Sequence, residues 1–331
     1  MTPPEKHNEM LALNWISDFG WIRVPELGLL LFGGSNTRKQ AERLVRLLKK
    51  RDLILERVLP GRAGRAVVLA AKGVRFLNDE GIFAQSGKDI GCIKNGVWLP
   101  PKTWRHDLLA QSVLCTLYKL GYEIIPEHQI RRQAGRTRKI PDGLAKKPGG
   151  QWCWLEVEST RKSGPHMHRL AAALLAVTTG TVDICGIHPQ GCFVAYYSDS
   201  KDERSNKLNH KQRISNAIAA TAGSDTKLTF VECARNSSAG LTSIEFIETK
   251  IESQKTTKVL ACLNANGWIL DGQTGLQSAN YGSFIAYVWQ DTDTPGTWSF
   301  DARSNEFSGF AGYAQNLHEA KRCAAALIAA A

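Results

Sequence analysis

Apolar residues recur through the first eighty positions at helical spacing and then at strand spacing. Met10, Leu13, Ile16 and Phe19 share one helical face and Gly20 closes the run, which predicts a helix over 9–19. A second, shorter helix is predicted over 25–32, with Pro25 in its tolerant first turn and Gly33-Gly34 ending it. Ser35 or Asn36 then caps a third helix reaching about residue 51. In that helix Ala41, Leu44, Val45 and Leu48 form a buried stripe, leaving Arg38, Lys39, Arg43, Arg46 and Lys50 largely on the other side. Segments 53–59 and 66–69 read as strands around Pro60-Gly61-Arg62-Ala63-Gly64-Arg65, a hairpin with Arg62 and Arg65 at its tip. A closing helix over 72–81 completes a winged helix-turn-helix spanning 1–83.

The stretch 84–102, rich in Gly and polar residues and ending near Pro100-Pro101, reads as a linker. A mostly buried helix follows over 104–120. Its one narrow polar stripe is Arg105, Ser112, Thr116 and Lys119, and His106 points away from that stripe, either toward a site or into a core. A strand over 122–125 leads to Glu127 and His128, which are ligands or rim residues. A basic loop carrying Arg131, Arg132, Arg136, Arg138 and Lys139 precedes a turn at Ile140-Pro141-Asp142. Pro148-Gly149-Gly150 closes a hairpin, and residues 151–158 alternate like a strand. Helices over 165–177 and 206–222 alternate with strands over 192–197 and 228–233, predicting a mixed sheet covered by helices across 103–250. His166 and His168 diverge on a helix and make a poor metal pair.

After a polar stretch over 248–257, read as a second linker, the pattern predicts a small antiparallel sheet and one helix across 255–331. Asn316 and Glu319 have capping-box spacing. Trp268, Tyr281, Phe284, Tyr287, Trp289 and Trp298 sit at strand spacing, which suits core positions more readily than a base-stacking surface. The fold class is thus α/β, α+β overall.

Charge narrows the function. The 331 residues carry a formal net charge of +11, with a pI near 9.3, and the basic residues gather around structured segments. That favours a nucleic acid as partner over an acidic membrane, and the winged helix-turn-helix with its basic third helix and arginine-tipped hairpin points to double-stranded DNA. A charged helical face also serves as a plain solvated surface, and winged helices also bind proteins. No apolar run approaches the roughly 18 residues of a membrane span, and the first residues lack a signal-peptide core, so a cytoplasmic location is expected. The eight cysteines contain no Cys-x-x-Cys pair, which argues against a zinc module or a disulfide framework. No phosphate-binding Gly-x-x-x-x-Gly-Lys-Ser/Thr loop and no Gly-x-Ser-x-Gly elbow is present.

The densest chemistry lies between Asp142 and Glu158. On a period-two strand Glu156 and Glu158 share a face, and the hairpin brings Asp142 beside them. Converging carboxylates repel unless a cation or protons intervene. Mg²⁺ or Mn²⁺ on Asp142 and Glu156, suited to phosphodiester chemistry, is the corresponding expectation.

Pro141-Asp142 followed by Glu156-Val157-Glu158 resembles the PD-(D/E)XK nuclease signature, in which an Asp and a Glu one hairpin apart hold the metal and a Lys two residues later orients water. Glu158 stands at that Lys position, as it does in some restriction endonucleases of the superfamily. With the N-terminal unit and the His106 helix, residues 8 to 250 are similar to the replication-relaxation family of plasmid and mobile-element proteins, which includes mobilisation-accessory proteins. The resemblance implies a DNA-binding accessory factor acting in mobilisation or replication beside a relaxase or replication initiator, with His106 facing the acidic centre. An active version would be a Mg²⁺-dependent deoxyribonuclease using Asp142, Glu156 and Glu158, with Lys162 or Arg161 stabilising the phosphorane. A winged-helix transcriptional regulator is the remaining class.

Overall fold

The computed structural model describes residues 3–33, 36–85, 91–95, 97–134, 139–159, 164–198, 210–222, 226–235, 241–290, 297–304 and 312–330. The chain opens with α1 (Pro3–Phe19), β1 (Ile22–Arg23), α2 (Val24–Leu31), α3 (Thr37–Lys50), β2 (Ile54–Leu59), β3 (Gly64–Leu69) and α4 (Ala71–Asp79). Strands pair in the order β1-β3-β2, all antiparallel, so the expected two-stranded wing gains a short third strand. Gly28 explains how α2 and α3 cross so closely. A Cβ there would lie 2.9 Å from the Thr37 carbonyl oxygen and 3.3 Å from the Ala41 Cβ.

The segment read as a first linker contains a hairpin of β4 (Cys92–Lys94) and β5 (Val97–Leu99). Then come α5 (Trp104–Lys119), β6 (Glu123–Pro126), α6 (Glu127–Ala134), β7 (Gly143–Lys146), β8 (Trp152–Glu158), α7 (Gly164–Thr178), β9 (Gly191–Tyr197), α8 (His210–Thr221), β10 (Thr226–Arg235) and β11 (Leu241–Ile251). The six-stranded sheet runs β11-β10-β9-β8-β7-β6. It is antiparallel across β6, β7 and β8 and parallel across β8, β9 and β10. Arg131 and Arg132, expected in a loop, are on α6. The second expected linker is likewise ordered: β11 continues to Ile251, and the next helix starts at Gln254 behind Ser253, whose side chain accepts from the Lys255 N–H at 3.2 Å.

Close packing divides the chain into two units, residues 1–161 with 176–210 and 229–248, and residues 162–175 with 211–228 and 249–331. One apolar core runs from Leu13, Ile22, Leu27 and Leu48 through Leu109, Val113 and Leu117 to Leu155, Val157, Ala195 and Val231. A satisfied polar seam follows it. Arg23 and Glu26, 4% and 3% exposed, form an ion pair, Ser112 Oγ donates to Glu26 Oε1 at 2.8 Å, and Gln111 Nε2 donates to the Trp21 carbonyl at 2.8 Å. On the far side Arg132 donates to Ser17 Oγ at 3.0 Å and pairs with Asp18, while His128 Nδ1 lies 3.0 Å from the Ser17 carbonyl.

The second unit carries α9 (Gln254–Asn266), β12 (Ile269–Leu270), β13 (Gln277–Tyr281), β14 (Phe284–Gln290), β15 (Trp298–Arg303), β16 (Gly312–Ala314) and α10 (Leu317–Ala330). Its five strands are antiparallel in chain order. Ala279, Ala286, Val288 and Ala302 face Val259, Leu263, Ala320, Ala324 and Ile328 of the helices. Half of the capping box forms: Asn316 Oδ1 accepts from the Glu319 N–H at 2.9 Å, while Glu319 Oε2 reaches one residue further back and accepts from the Gln315 N–H at 3.1 Å. Trp268, Tyr281, Phe284 and Trp298 pack against this core, whereas Tyr287 and Trp289 line a cavity of about 480 Å³ with Asp301 and Arg303. Among the described residues no helix is long and apolar enough to cross a membrane.

Candidate functional site

The acidic centre is built by a hairpin and one helix. Pairing of Gly143 with Leu155 sets Asp142 across from Glu156, and the Asp142 N–H donates to the Leu155 carbonyl at 2.9 Å. The Val157 N–H in turn donates to Asp142 Oδ2 at 2.7 Å. Alternation on β8 sends Leu155 and Val157 into the apolar core and puts Trp154, Glu156 and Glu158 on the other face. From the first turn of α5, His106 reaches in with Nε2 3.3 Å from Asp142 Oδ2 and Nδ1 3.6 Å from Asp107 Oδ1. Burial works against charging that ring, yet hydrogen bonds and Coulombic attraction from Asp107 and Asp142 outweigh it and lift its pKa to about 10. His106 is therefore an imidazolium at neutral pH. Asp142 is itself raised above the ordinary carboxylate range by burial, against the opposing pull of His106 and the Val157 N–H.

Glu156 has its own partners: Oε1 accepts from Lys139 Nζ at 2.9 Å and Oε2 from the Trp154 indole N–H at 3.2 Å. Glu158 is 2% exposed and lies opposite Tyr196 in the sheet, whose hydroxyl donates to Glu232 at 3.1 Å. A hard cation such as Mg²⁺ needs carboxylate lone pairs directed at it, along with room for water. Here Asp142 and Glu156 direct theirs at an imidazolium, an ammonium and N–H donors. Among the described residues no group of three or more His, Cys, Asp or Glu side chains is arranged to hold a metal ion. In this arrangement a resident Mg²⁺ or Mn²⁺ would have to displace the cations and N–H donors that already face Asp142 Oδ2 and Glu156. Beside Asp142 lies a cavity of about 90 Å³, bordered by Trp21, Asp107, Gln111 and His128, equal to roughly three waters at about 30 Å³ each.

The cation beside Glu156 comes from the stretch before the Pro-Asp turn, where Lys139 supplies its ammonium. Lys162 and Arg161, expected to stabilise the phosphorane, lie outside the described residues, as do Arg136 and Arg138. Arg131 is exposed and paired with Glu127 at 2.5 Å, while Arg132 turns inward, its side chain 11% exposed. Arg132 thus fastens α6 to α1.

The other concentration of charge is α3. Lys39, Arg43, Arg46 and Lys50 recur at i, i+4, i+7 and i+11 and are all exposed, opposite the buried Ala41, Leu44, Val45 and Leu48. On the flank toward the wing, charges are internally balanced: Arg38 donates to Glu42 at 3.1 Å, Arg65 meets Glu56 at 2.9 Å and Glu42 at 3.6 Å, and Lys49 donates to Glu56 at 3.0 Å. Arg62 stands exposed on the wing turn at φ 61, in the left-handed region, and makes no ion pair among the described residues.

Protein-family models, curated proteins and solved structures give no match to this chain.

Two residues of the acidic centre were not anticipated from sequence. Trp154 was accessible to the same reasoning as Glu156, because it precedes it by two on one strand face. Asp107 was not, because a helix residue adjacent to His106 would ordinarily diverge from it.

Proposed function

We propose that this chain is a double-stranded-DNA-binding accessory protein whose nuclease-like core holds its acidic centre in a non-cleaving, internally neutralised state. The observation that carries the reading is the exposed stripe of Lys39, Arg43, Arg46 and Lys50 on the third helix of a winged helix. Eleven residues of α-helix span about 16 Å, a length that lies along a major groove and meets phosphates on its edges. The non-cleaving state is supported by His106 on Asp142 and Lys139 on Glu156. By resemblance to the replication-relaxation family, the setting is mobilisation or replication of a plasmid or integrative element, with a relaxase or replication initiator as protein partner.

The test is duplex binding by fluorescence anisotropy across a salt series, run beside a cleavage assay on supercoiled and single-stranded DNA with Mg²⁺ or Mn²⁺. Changing Arg43, Arg46 and Lys50 together to Ala should weaken binding at least about tenfold and flatten the log–log salt slope by roughly 2–3. Wild-type affinity in that variant removes α3 as the reader, and strong metal-dependent cleavage by the wild type overturns the accessory role.

A further inference from the structure

Resting on the DNA-binding reading, we infer that the nuclease-like core contributes to DNA contact through a pocket for one backbone phosphodiester, formed jointly by α3, the wing turn and α5. The pocket measures about 310 Å³ and is lined by Thr37 and Arg38 from the start of α3, Arg62 from the wing turn, and Ser112 and Thr116 from α5. Its floor is the Arg23–Glu26 ion pair, both members at most 4% exposed, so the one carboxylate lining it is already neutralised. Arg38, engaged through one nitrogen by Glu42 outside the lining, and Arg62, with no ion pair among the described residues, remain, so the lining itself is cationic. At about 30 Å³ per water the space equals roughly ten waters, ample for a phosphate and the edges of its sugars.

The wing turn is held in place for this role. Arg23 Nη1 donates to the Ala63 carbonyl at 3.2 Å, and Ala63 is buried with Trp21, Trp104 and Leu108. The turn holding Arg62 is therefore fixed to the body of the protein. Arg38 gives Nε to Glu42, which leaves its terminal nitrogens available to a phosphate oxygen. On α5, Thr116 donates its hydroxyl to the Ser112 carbonyl at 2.8 Å and is half-buried at the pocket wall. Whatever charge stands at 116 will face the anion, although that residue lies more than thirty positions beyond the winged helix in sequence. A plain winged-helix reader would not depend on it.

The test is a charge swap at Thr116 in the full-length chain. Thr116→Glu should weaken duplex binding about tenfold at 0.1 M salt, and Thr116→Lys should strengthen it about threefold and steepen the salt slope by about 1. A folding defect would weaken both, so opposite signs identify the pocket. Equal binding by the two variants, or loss in both, overturns the inference while leaving the α3 reading intact if wild type binds duplex and the α3 variant does not. No duplex binding by wild type overturns both. Inorganic phosphate distinguishes the source of the anion: millimolar phosphate shifting the Arg62 NMR resonances, with duplex affinity unmoved by either substitution, assigns the pocket to a free anion and refutes the backbone contact.

Discussion

Replacing Asp142 by Asn probes the acidic centre at its most sensitive point. Two carboxylates hold His106 charged, lifting its pKa from 6.5 to about 10 although burial works the other way. The amide keeps an oxygen toward Nε2 but removes the charge, while Asp107 stays in place. Losing one of two comparable partners should lower the His106 pKa by roughly 2, or about 2.7 kcal/mol at about 1.36 kcal/mol per pKa unit. That is an upper figure, because 31% of the side chain meets solvent. The folded imidazole binds its proton more tightly than an unfolded one, so its stabilising contribution is complete below about 6.5 and disappears as pH rises through about 10. In Asp142→Asn the loss begins at the same pH, set by the unfolded chain, but is smaller and is complete at lower pH. The assay is a ¹³C–¹H titration of the histidine Cε1–H signals from pH 5 to 10, with His106→Gln assigning the peak. Wild-type His106 should stay charged through pH 8. A wild-type midpoint near 6.5, or an unchanged midpoint in the variant, would refute the ion pair and reopen Asp142 to a metal.

Three further outcomes are expected. Gly28→Ala should lower stability in urea by about 1–3 kcal/mol, because the new Cβ meets the Thr37 backbone; an unchanged midpoint would mean that α2 and α3 do not cross so closely. Lys139→Met should cost about 2 kcal/mol by stranding the buried Glu156 carboxylate, and adding Glu156→Gln should recover much of it; additive losses in the double variant would show that the two do not interact. Glu26→Gln should cost about 3 kcal/mol through the buried Arg23 guanidinium and move one cooperative transition; separate melting of the N-terminal and central parts would contradict their shared core.

Strong periodicity made α1, α3, α5 and β8 legible, and the Pro-Asp turn with the hairpin placed Asp142 beside Glu156. What escaped has physical causes. β1 is two residues long and is a strand only because β3 pairs with it. β11 carries Glu and Lys among its β-branched residues, so its later part resembled solvated linker. Arg131 and Arg132 formed part of a charge run, which reads alike whether the side chains meet phosphate, Glu127 or Asp18. The helical wheel identified Ser112 as polar but not that Glu26 would cover it. Lys139 presented the same ambiguity: a cation beside an acidic strand is a phosphate guide or an internal counter-ion, and only distance separates them.

The shared apolar core also sets an order on synthesis. Leu13, Leu27, Leu48 and Leu77 belong to the same cluster as Leu109, Leu155, Ala195 and Val231. The N-terminal helices therefore leave the ribosome with one flank uncovered and wait some 150 residues for the strands that complete it. At about 5–20 residues per second that interval is roughly 8–30 seconds. During it, exposed leucines and a cationic third helix share one nascent segment, whose stability is not complete until those strands arrive.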